Sequence, residues 1–170
     1  MLAPFVPCAS TRIHPLLHAA RLQHHDVLYD LGCGDGRLLH AAAAQFGCTC
    51  VGIDIDADCI REAQARAAHQ GCDERCTFVR RDMLALGAAA LDGLPPPTCL
   101  LVFLTGHGLV RLESQLRAWH LEMGVRILTC VESLDAAIDY EAGVDELFEP
   151  TIARRGWHVW RALEHHGIYV

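Results

Sequence analysis

The sequence has 170 residues, which suits one domain and excludes a second full one. Hydrophobic residues make up 52% and charged residues 21%, a balance typical of soluble globular proteins that excludes a disordered or fibrous chain. The net charge of −7 disfavours nucleic acid as the main partner, because the surface field repels phosphate. All 14 basic residues are arginine, which codon bias towards G and C explains most simply.

Strand and helix patterns alternate along the central part of the chain. Apolar runs predict five buried strands, at residues 27–31, 50–55, 76–79, 99–104 and 125–131. Apolar stripes at helical spacing predict three helices between them, at residues 37–46, 57–70 and 108–120. Strands separated by helices of this length form βαβ units, so we expect a mainly parallel sheet covered on both faces, a three-layer α/β sandwich.

The two ends of the chain depart from this alternation. A helix near residues 12–23 and the segment 4–7 (Pro-Phe-Val-Pro) are expected to pack as an amino-terminal flap. Segments 144–149 and 157–163 read as two strands joined by a polar turn, which predicts an antiparallel hairpin at the sheet edge. The predicted sheet therefore has seven strands and is mostly parallel.

We divide the predicted domain, residues 1–170, into three parts. Residues 1–24 form the flap and helix, residues 25–131 the core, and residues 132–170 the edge hairpin. No apolar run reaches the roughly 18 to 20 residues of a membrane helix, and no secretory signal is visible at the start. Nine cysteines, an odd number and mostly within apolar runs, indicate a reducing compartment, so we expect an intracellular, cytoplasmic protein without a transmembrane segment.

A glycine-rich turn follows the first predicted strand. Residues 30–36 read Asp-Leu-Gly-Cys-Gly-Asp-Gly and lead into the first core helix. They lie at the carboxyl end of a strand, where an α/β sheet binds its ligand. Alternate glycines let the backbone approach a ligand closely. Arg37 stands where a dinucleotide fingerprint needs its third glycine, so NAD or FAD is a poorer fit.

This D-x-G-x-G-x-G motif resembles the class I S-adenosylmethionine-dependent methyltransferases, which have a Rossmann-like sandwich. The resemblance implies S-adenosylmethionine as cofactor, with Asp54 accepting the ribose hydroxyls, Asp82 meeting the adenine amino group and Asp30 holding the methionine end. Four signals in this order, each at a strand end, make the similarity specific. The implied cofactor-binding residues are Asp30, Gly32, Gly34, Gly36, Asp54, Ile55, Asp82 and Met83.

Each of these side chains has a structural alternative. Asp54 and Asp56 are both placed to cap the next helix, and Asp82 could be a turn residue. Met83 either lines the adenine slot or belongs to the core. Cys33 is expected to fill space between the motif glycines and not to act as a nucleophile.

A closer similarity is to the small lysine methyltransferases that include the mitochondrial enzymes acting on the ATP synthase c subunit and the adenine nucleotide translocase. The matching residues are segment 4–7 and the motif 30–37. The resemblance implies a protein lysine as acceptor, a flap that folds over the cofactor, and a mitochondrial location as the alternative to a cytoplasmic one. Acceptors that remain open are a small molecule or RNA, and a non-catalytic cofactor-binding or regulatory module is the other alternative.

A lysine acceptor must lose its proton before it attacks the methyl group. His107 and Glu132 follow the fourth and fifth strands, whose ends face the methyl group in this fold, so they are the candidate catalytic residues; each could instead be structural or solvent-facing. His69, Cys72 and Cys76 lack a second Cys/His pair, so we predict no metal site.

Overall fold

A computed structural model describes residues 7–86, 93–104 and 106–130. Four α-helices, five strands and a short 3₁₀ helix are found in these ranges. In chain order they are α1 (Ser10–Ala19), β1 (Val27–Leu31), α2 (Arg37–Phe46), β2 (Thr49–Asp54), α3 (Ala57–Gln70), β3 (Cys76–Arg80), the 3₁₀ helix (Met83–Ala85), β4 (Cys99–Phe103), α4 (Gly106–Met123) and β5 (Arg126–Cys130).

The five described strands form one parallel sheet in the order β3-β2-β1-β4-β5. From β1 the chain moves outwards through β2 to β3 and then crosses back to place β4 on the other side of β1. The strand order therefore reverses between β1 and β4. Asp30 on β1 is in register with Gly52 on β2 and Leu101 on β4. Ligands of such sheets bind outside the carboxyl ends of the strands at this reversal, which is where the glycine-rich turn lies.

Side chains alternate between the two faces of the sheet and build two cores. Leu28 and Leu101 join a core with residues of α1, α2 and α3. Tyr29 and Leu31 point to the other face and join a core with Leu116 of α4. Each fully buried large apolar side chain contributes about 1.5 to 3 kcal/mol, so the sheet is held from both sides.

A buried polar network fixes the amino-terminal ends of the strands. Asp26, 4% exposed, accepts a hydrogen bond from Thr98 Oγ1 at 2.6 Å and pairs with Arg126 Nη2 at 2.5 Å. Arg126 Nη1 also donates to the Ala20 carbonyl, 3.0 Å away, which ties the end of α1 to β5. Burial raises the pKa of Asp26, but the hydrogen bonds from Thr98 and Arg126 outweigh burial and hold the pKa below its usual range.

The α/β sandwich predicted from the sequence is confirmed, and most element bounds agree within one or two residues. Two helices differ by more at their ends: α1 ends at Ala19 and not near residue 23, because the backbone turns at Arg21, which has a φ of +48°, and α4 continues to Met123, three residues beyond the predicted end. The predicted hairpin, and with it the count of seven strands, lies outside the described residues. In the described ranges, no helix is long and apolar enough to cross a membrane.

Candidate cofactor site

Residues 32–36, called the glycine turn below, carry the chain from β1 into α2. The amides of Gly32 and Cys33 both donate to the Ile53 carbonyl, at 2.8 and 3.1 Å, and so anchor the turn to the end of β2. Its three glycines have positive φ angles of +89°, +52° and +74°. Side-chain-bearing residues adopt such angles only with strain, so the turn needs glycine at these positions.

Close packing adds a second requirement at Gly36. A Cβ atom built there would lie 2.7 Å from Phe78 Cε1, closer than real Cβ contacts, and 3.0 Å from Ala63 Cβ, which is tighter than most of them. The backbone of the turn therefore packs directly against β3 and α3. At Gly32, a Cβ atom would lie 3.2 Å from Met83 Cε, so the sequence-predicted adenine-slot residue does reach the glycine turn.

Asp54 ends β2 beside the glycine turn. Its Oδ2 accepts the Gly34 amide at 2.9 Å and its Oδ1 accepts the Asp56 amide at 2.9 Å. The helix-capping alternative belongs instead to Asp56, whose side chain accepts the Asp58 amide at 2.8 Å at the start of α3. A carboxylate oxygen can accept more than one hydrogen bond, so Asp54 retains acceptor sites for the two hydroxyls of a ribose. Ile55, the next residue, is 43% exposed beside it.

Asp30 is the penultimate residue of β1, two residues before the glycine turn, and is 1% exposed. Its Oδ1 atom has no hydrogen-bond partner in the described part of the chain. Burial, together with the nearby carboxylates of Asp54 and Asp35, raises the pKa of Asp30 to about 8. A buried acceptor without a donor is costly, and a ligand that brings a cationic donor would satisfy it.

Asp35 is a structural carboxylate that sequence reasoning missed. It is 2% exposed and accepts Arg37 Nε at 2.9 Å and pairs with Arg66 Nη1 at 3.0 Å. Burial raises its pKa, but the Arg37 hydrogen bonds outweigh burial and hold the pKa below its usual range. Arg37 also donates to the Cys8 carbonyl, 3.1 Å away, so the pair links the glycine turn to the segment before α1. The Asp-Gly-Arg run was the available signal for Arg37; nothing in the sequence pointed to Arg66.

Asp82 and Met83 follow β3. Asp82 is exposed and its Oδ1 accepts the Leu84 amide at 2.9 Å, so it caps the 3₁₀ helix. Met83 is 9% exposed, and its carbonyl accepts a hydrogen bond from Gln115 of α4 at 3.3 Å. The capping hydrogen bond uses one acceptor site of the Asp82 carboxylate and leaves others for a ligand. The contact of Asp82 with adenine stays a prediction.

The remaining candidates have different outcomes. His107 lies in the first turn of α4, next to the end of β4, but its side chain and all of Glu132 lie outside the described residues. Cys33 is 6% exposed and burial raises its pKa, which fits a space-filling thiol. Across the ranges that the structure describes, no group of three or more His, Cys, Asp or Glu residues could hold a metal ion.

A parallel sheet in the order 3-2-1-4-5, with a glycine turn after β1 and a carboxylate closing β2, defines the class I methyltransferase fold. An RNA methyltransferase from Salinibacter ruber, solved with S-adenosyl-L-homocysteine, is 26% identical with a TM-score of 0.63, over 82% of this chain and 88% of that one. Precorrin-6y C5,15-methyltransferase from Geobacter metallireducens is 18% identical with a TM-score of 0.64, over 98% and 76%, which shows the shared fold alone.

The chain belongs to the ANTKMT methyltransferase domain family, whose profile matches residues 30–135. A protein-lysine N-methyltransferase from Saccharolobus islandicus is 37% identical over 45% of this chain and 48% of its own length. The lysine N-methyltransferase of Rattus norvegicus that is named for the ATP synthase c subunit is 28% identical over 75% of this chain and 55% of its own. The chain thus spans about half the length of these curated relatives. Family membership confirms the resemblance read from residues 30–37.

Proposed function

We propose that this chain transfers a methyl group from S-adenosylmethionine to the side-chain amine of a lysine in a protein substrate. The observation that carries the cofactor assignment is the presence of two carboxylates, Asp54 and Asp30, near the glycine turn. Asp54 offers acceptor sites at the end of β2, and Asp30 offers a buried oxygen without a partner among the described residues. Lysine as the acceptor is supported by the family and by the names of its relatives.

The residues present fit this cofactor. Asp54 would accept the ribose hydroxyls, Asp30 would face the ammonium group of the methionine end, and the glycine turn lets the backbone come close to both. Met83 would line the adenine, with Asp82 next to it. The bound cofactor supplies an activated sulfonium methyl group, so the protein has mainly to position the acceptor and exclude water.

The acceptor amine must arrive without its proton. We propose that His107 or Glu132 passes this proton to solvent, because α4 begins with His107 in its first turn, directly after β4. His107→Gln and Glu132→Gln are expected to lower kcat while the Kd for the cofactor stays unchanged. If both variants keep the wild-type kcat and its pH profile, neither residue is the base.

We also propose an intracellular, cytoplasmic location, with mitochondria as the alternative suggested by the rat relative's name. The eight cysteines whose side chains the structure describes form no disulfide bond with one another, which fits a reducing compartment. The net charge of −7 favours a cationic acceptor such as a lysine-rich segment over an RNA backbone. This charge weighs against the RNA substrate named for the Salinibacter structure.

Methyl-labelled cofactor incubated with the purified protein and a cell lysate tests the proposal. After acid hydrolysis of the labelled protein, the label is expected in methyllysine. With the cofactor near its wild-type Kd, labelling should fall severalfold or more with Asp54→Ala and persist with Asp73→Ala, a change at an exposed aspartate in the turn after α3. Label in RNA and none in protein would refute the lysine acceptor. Because the sequence has no lysine, a labelled side chain in the protein itself would also contradict this specificity.

A further inference from the structure

Three carboxylates surround the glycine turn, and their charges are compensated differently. Asp54 accepts two backbone amides, each at 2.9 Å. Asp35 is paired with two arginines, Arg37 at 2.9 Å and Arg66 at 3.0 Å. Asp30 has the deepest burial of the three and its Oδ1 has no partner among the described residues. Burial of an ionised carboxylate without a cation or donor is unfavourable, so Asp30 is the one that favours the neutral form.

The groups that face Asp30 reinforce this preference. Its register neighbours on β2 and β4 are Gly52 and Leu101, which carry no charge. In the described ranges the charged groups that act on it are Asp54 at the end of β2 and Asp35 in the glycine turn, both negative. The nearby Cys33 thiol is buried and neutral, because burial raises its pKa. No cation from the described part of the chain therefore offsets a charge on Asp30.

We propose that Asp30 carries a proton in the cofactor-free protein and releases it to solvent when the ammonium group of the cofactor binds, so that cofactor binding is coupled to the loss of one proton. This inference rests on the proposed function, because it takes S-adenosylmethionine as the ligand. The Asp30 O–H bond breaks, its proton passes to the buffer, and the ammonium group keeps its own protons and donates one hydrogen bond to the new carboxylate.

The coupling has a defined size. With a pKa of about 8, Asp30 is about 0.9 protonated at pH 7 in the empty protein. Pairing with a cation about 4 Å away or closer lowers a carboxyl pKa strongly, so the bound state holds almost no proton there. The Kd for the cofactor should consequently fall about tenfold per pH unit between about pH 6 and pH 7. Cofactor loading therefore becomes weaker in acid.

Calorimetric titration with S-adenosylhomocysteine, which has the same ammonium group, measures the coupling. The experiment is repeated at pH 7 in buffers of different ionisation enthalpy. The slope of the observed binding enthalpy against the buffer ionisation enthalpy gives the number of protons released. The expected release is about 0.9 for the wild type. It should fall to near zero with Asp30→Asn, and with methylthioadenosine, which lacks the amino-acid end. Asp73→Asn, the exposed matched control, should keep the wild-type release.

The outcomes separate this inference from the proposed function. Binding of S-adenosylhomocysteine without proton release, or with the same release in Asp30→Asn, would overturn the coupling and leave the methyltransferase proposal intact. Absence of any binding by S-adenosylmethionine and S-adenosylhomocysteine would overturn both. Carbon NMR of the Asp30 carboxyl in the ligand-free wild type gives an answer that needs no variant to fold. A titration midpoint below about pH 5 would overturn the coupling.

Discussion

Gly36→Ala tests the two reasons for a glycine at this position, the positive φ angle and the close packing against Phe78 and Ala63. The φ of +74° makes alanine unfavourable by about 1 to 2 kcal/mol. The added Cβ would also lie 2.7 Å from Phe78 Cε1 and 3.0 Å from Ala63 Cβ, and overpacking of this kind costs about 1 to 3 kcal/mol. Gly36→Ala should therefore lower the free energy of unfolding by about 2 to 5 kcal/mol.

Gly71→Ala is the matched control. Gly71 also sits at a helix end with a positive φ, +68°, but nothing lies within 4 Å of an added Cβ, so only the backbone cost of about 1 to 2 kcal/mol applies. Denaturant unfolding of the wild type and both variants, followed by circular dichroism, gives the two differences. If Gly36→Ala is no more destabilising than Gly71→Ala, the close packing of the glycine turn against Phe78 is wrong.

Three further variants test the polar groups. Asp54→Ala should weaken cofactor binding by about 10- to 150-fold in a calorimetric titration, because hydrogen bonds to a charged group contribute about 1.5 to 3 kcal/mol; an unchanged Kd would exclude its ribose role. The pKa of Asp26 is lower in the folded protein than its usual value of 3.8, so ionised Asp26 stabilises the fold above pH 3.8. This contribution is lost as the pH falls through the lowered pKa. Arg126→Gln should therefore raise the midpoint pH of acid unfolding; an unchanged midpoint would contradict the pairing. Burial lowers the pKa of His40, so the unfolded chain binds a proton that the folded state does not, and stability should fall as pH drops below about 6.5. In His40→Gln the free energy of unfolding should depend less on pH between about pH 5 and pH 7. A pH dependence equal to that of the wild type would refute the lowered pKa of His40 as its cause.

The parallel sheet could be predicted from the sequence because its strands are buried on both faces. Such strands read as continuous apolar runs, as in β1 and β4, and glycine or proline marks their limits. The candidate site was predicted for a related reason: Asp30 is the penultimate residue of β1 and Asp54 ends the adjacent β2, and a parallel sheet brings the carboxyl ends of these strands together. The end of α1 was harder to predict, since it depends on the backbone turn at Arg21.

Other features depend on contacts that a linear pattern does not encode. Asp35 and Arg66 are far apart in the sequence and meet because α3 packs against α2 beside the glycine turn. The choice of Asp56 over Asp54 as the cap of α3 follows from local backbone geometry. The missing partner of Asp30 Oδ1 among the described residues reflects every group around it, so only the assembled structure reveals it.

Mapping of backbone amide shifts on addition of S-adenosylhomocysteine tests the central claim most directly. A cofactor site at the carboxyl ends of β1 and β2 predicts saturable shifts in the amides of Gly32, Gly34 and Asp56, which contact Ile53 or Asp54. Amides at the opposite end of the sheet, such as that of Val27, should stay unchanged. No shifts at saturating ligand, or shifts confined to that opposite end, would contradict the site and the methyltransferase account built on it.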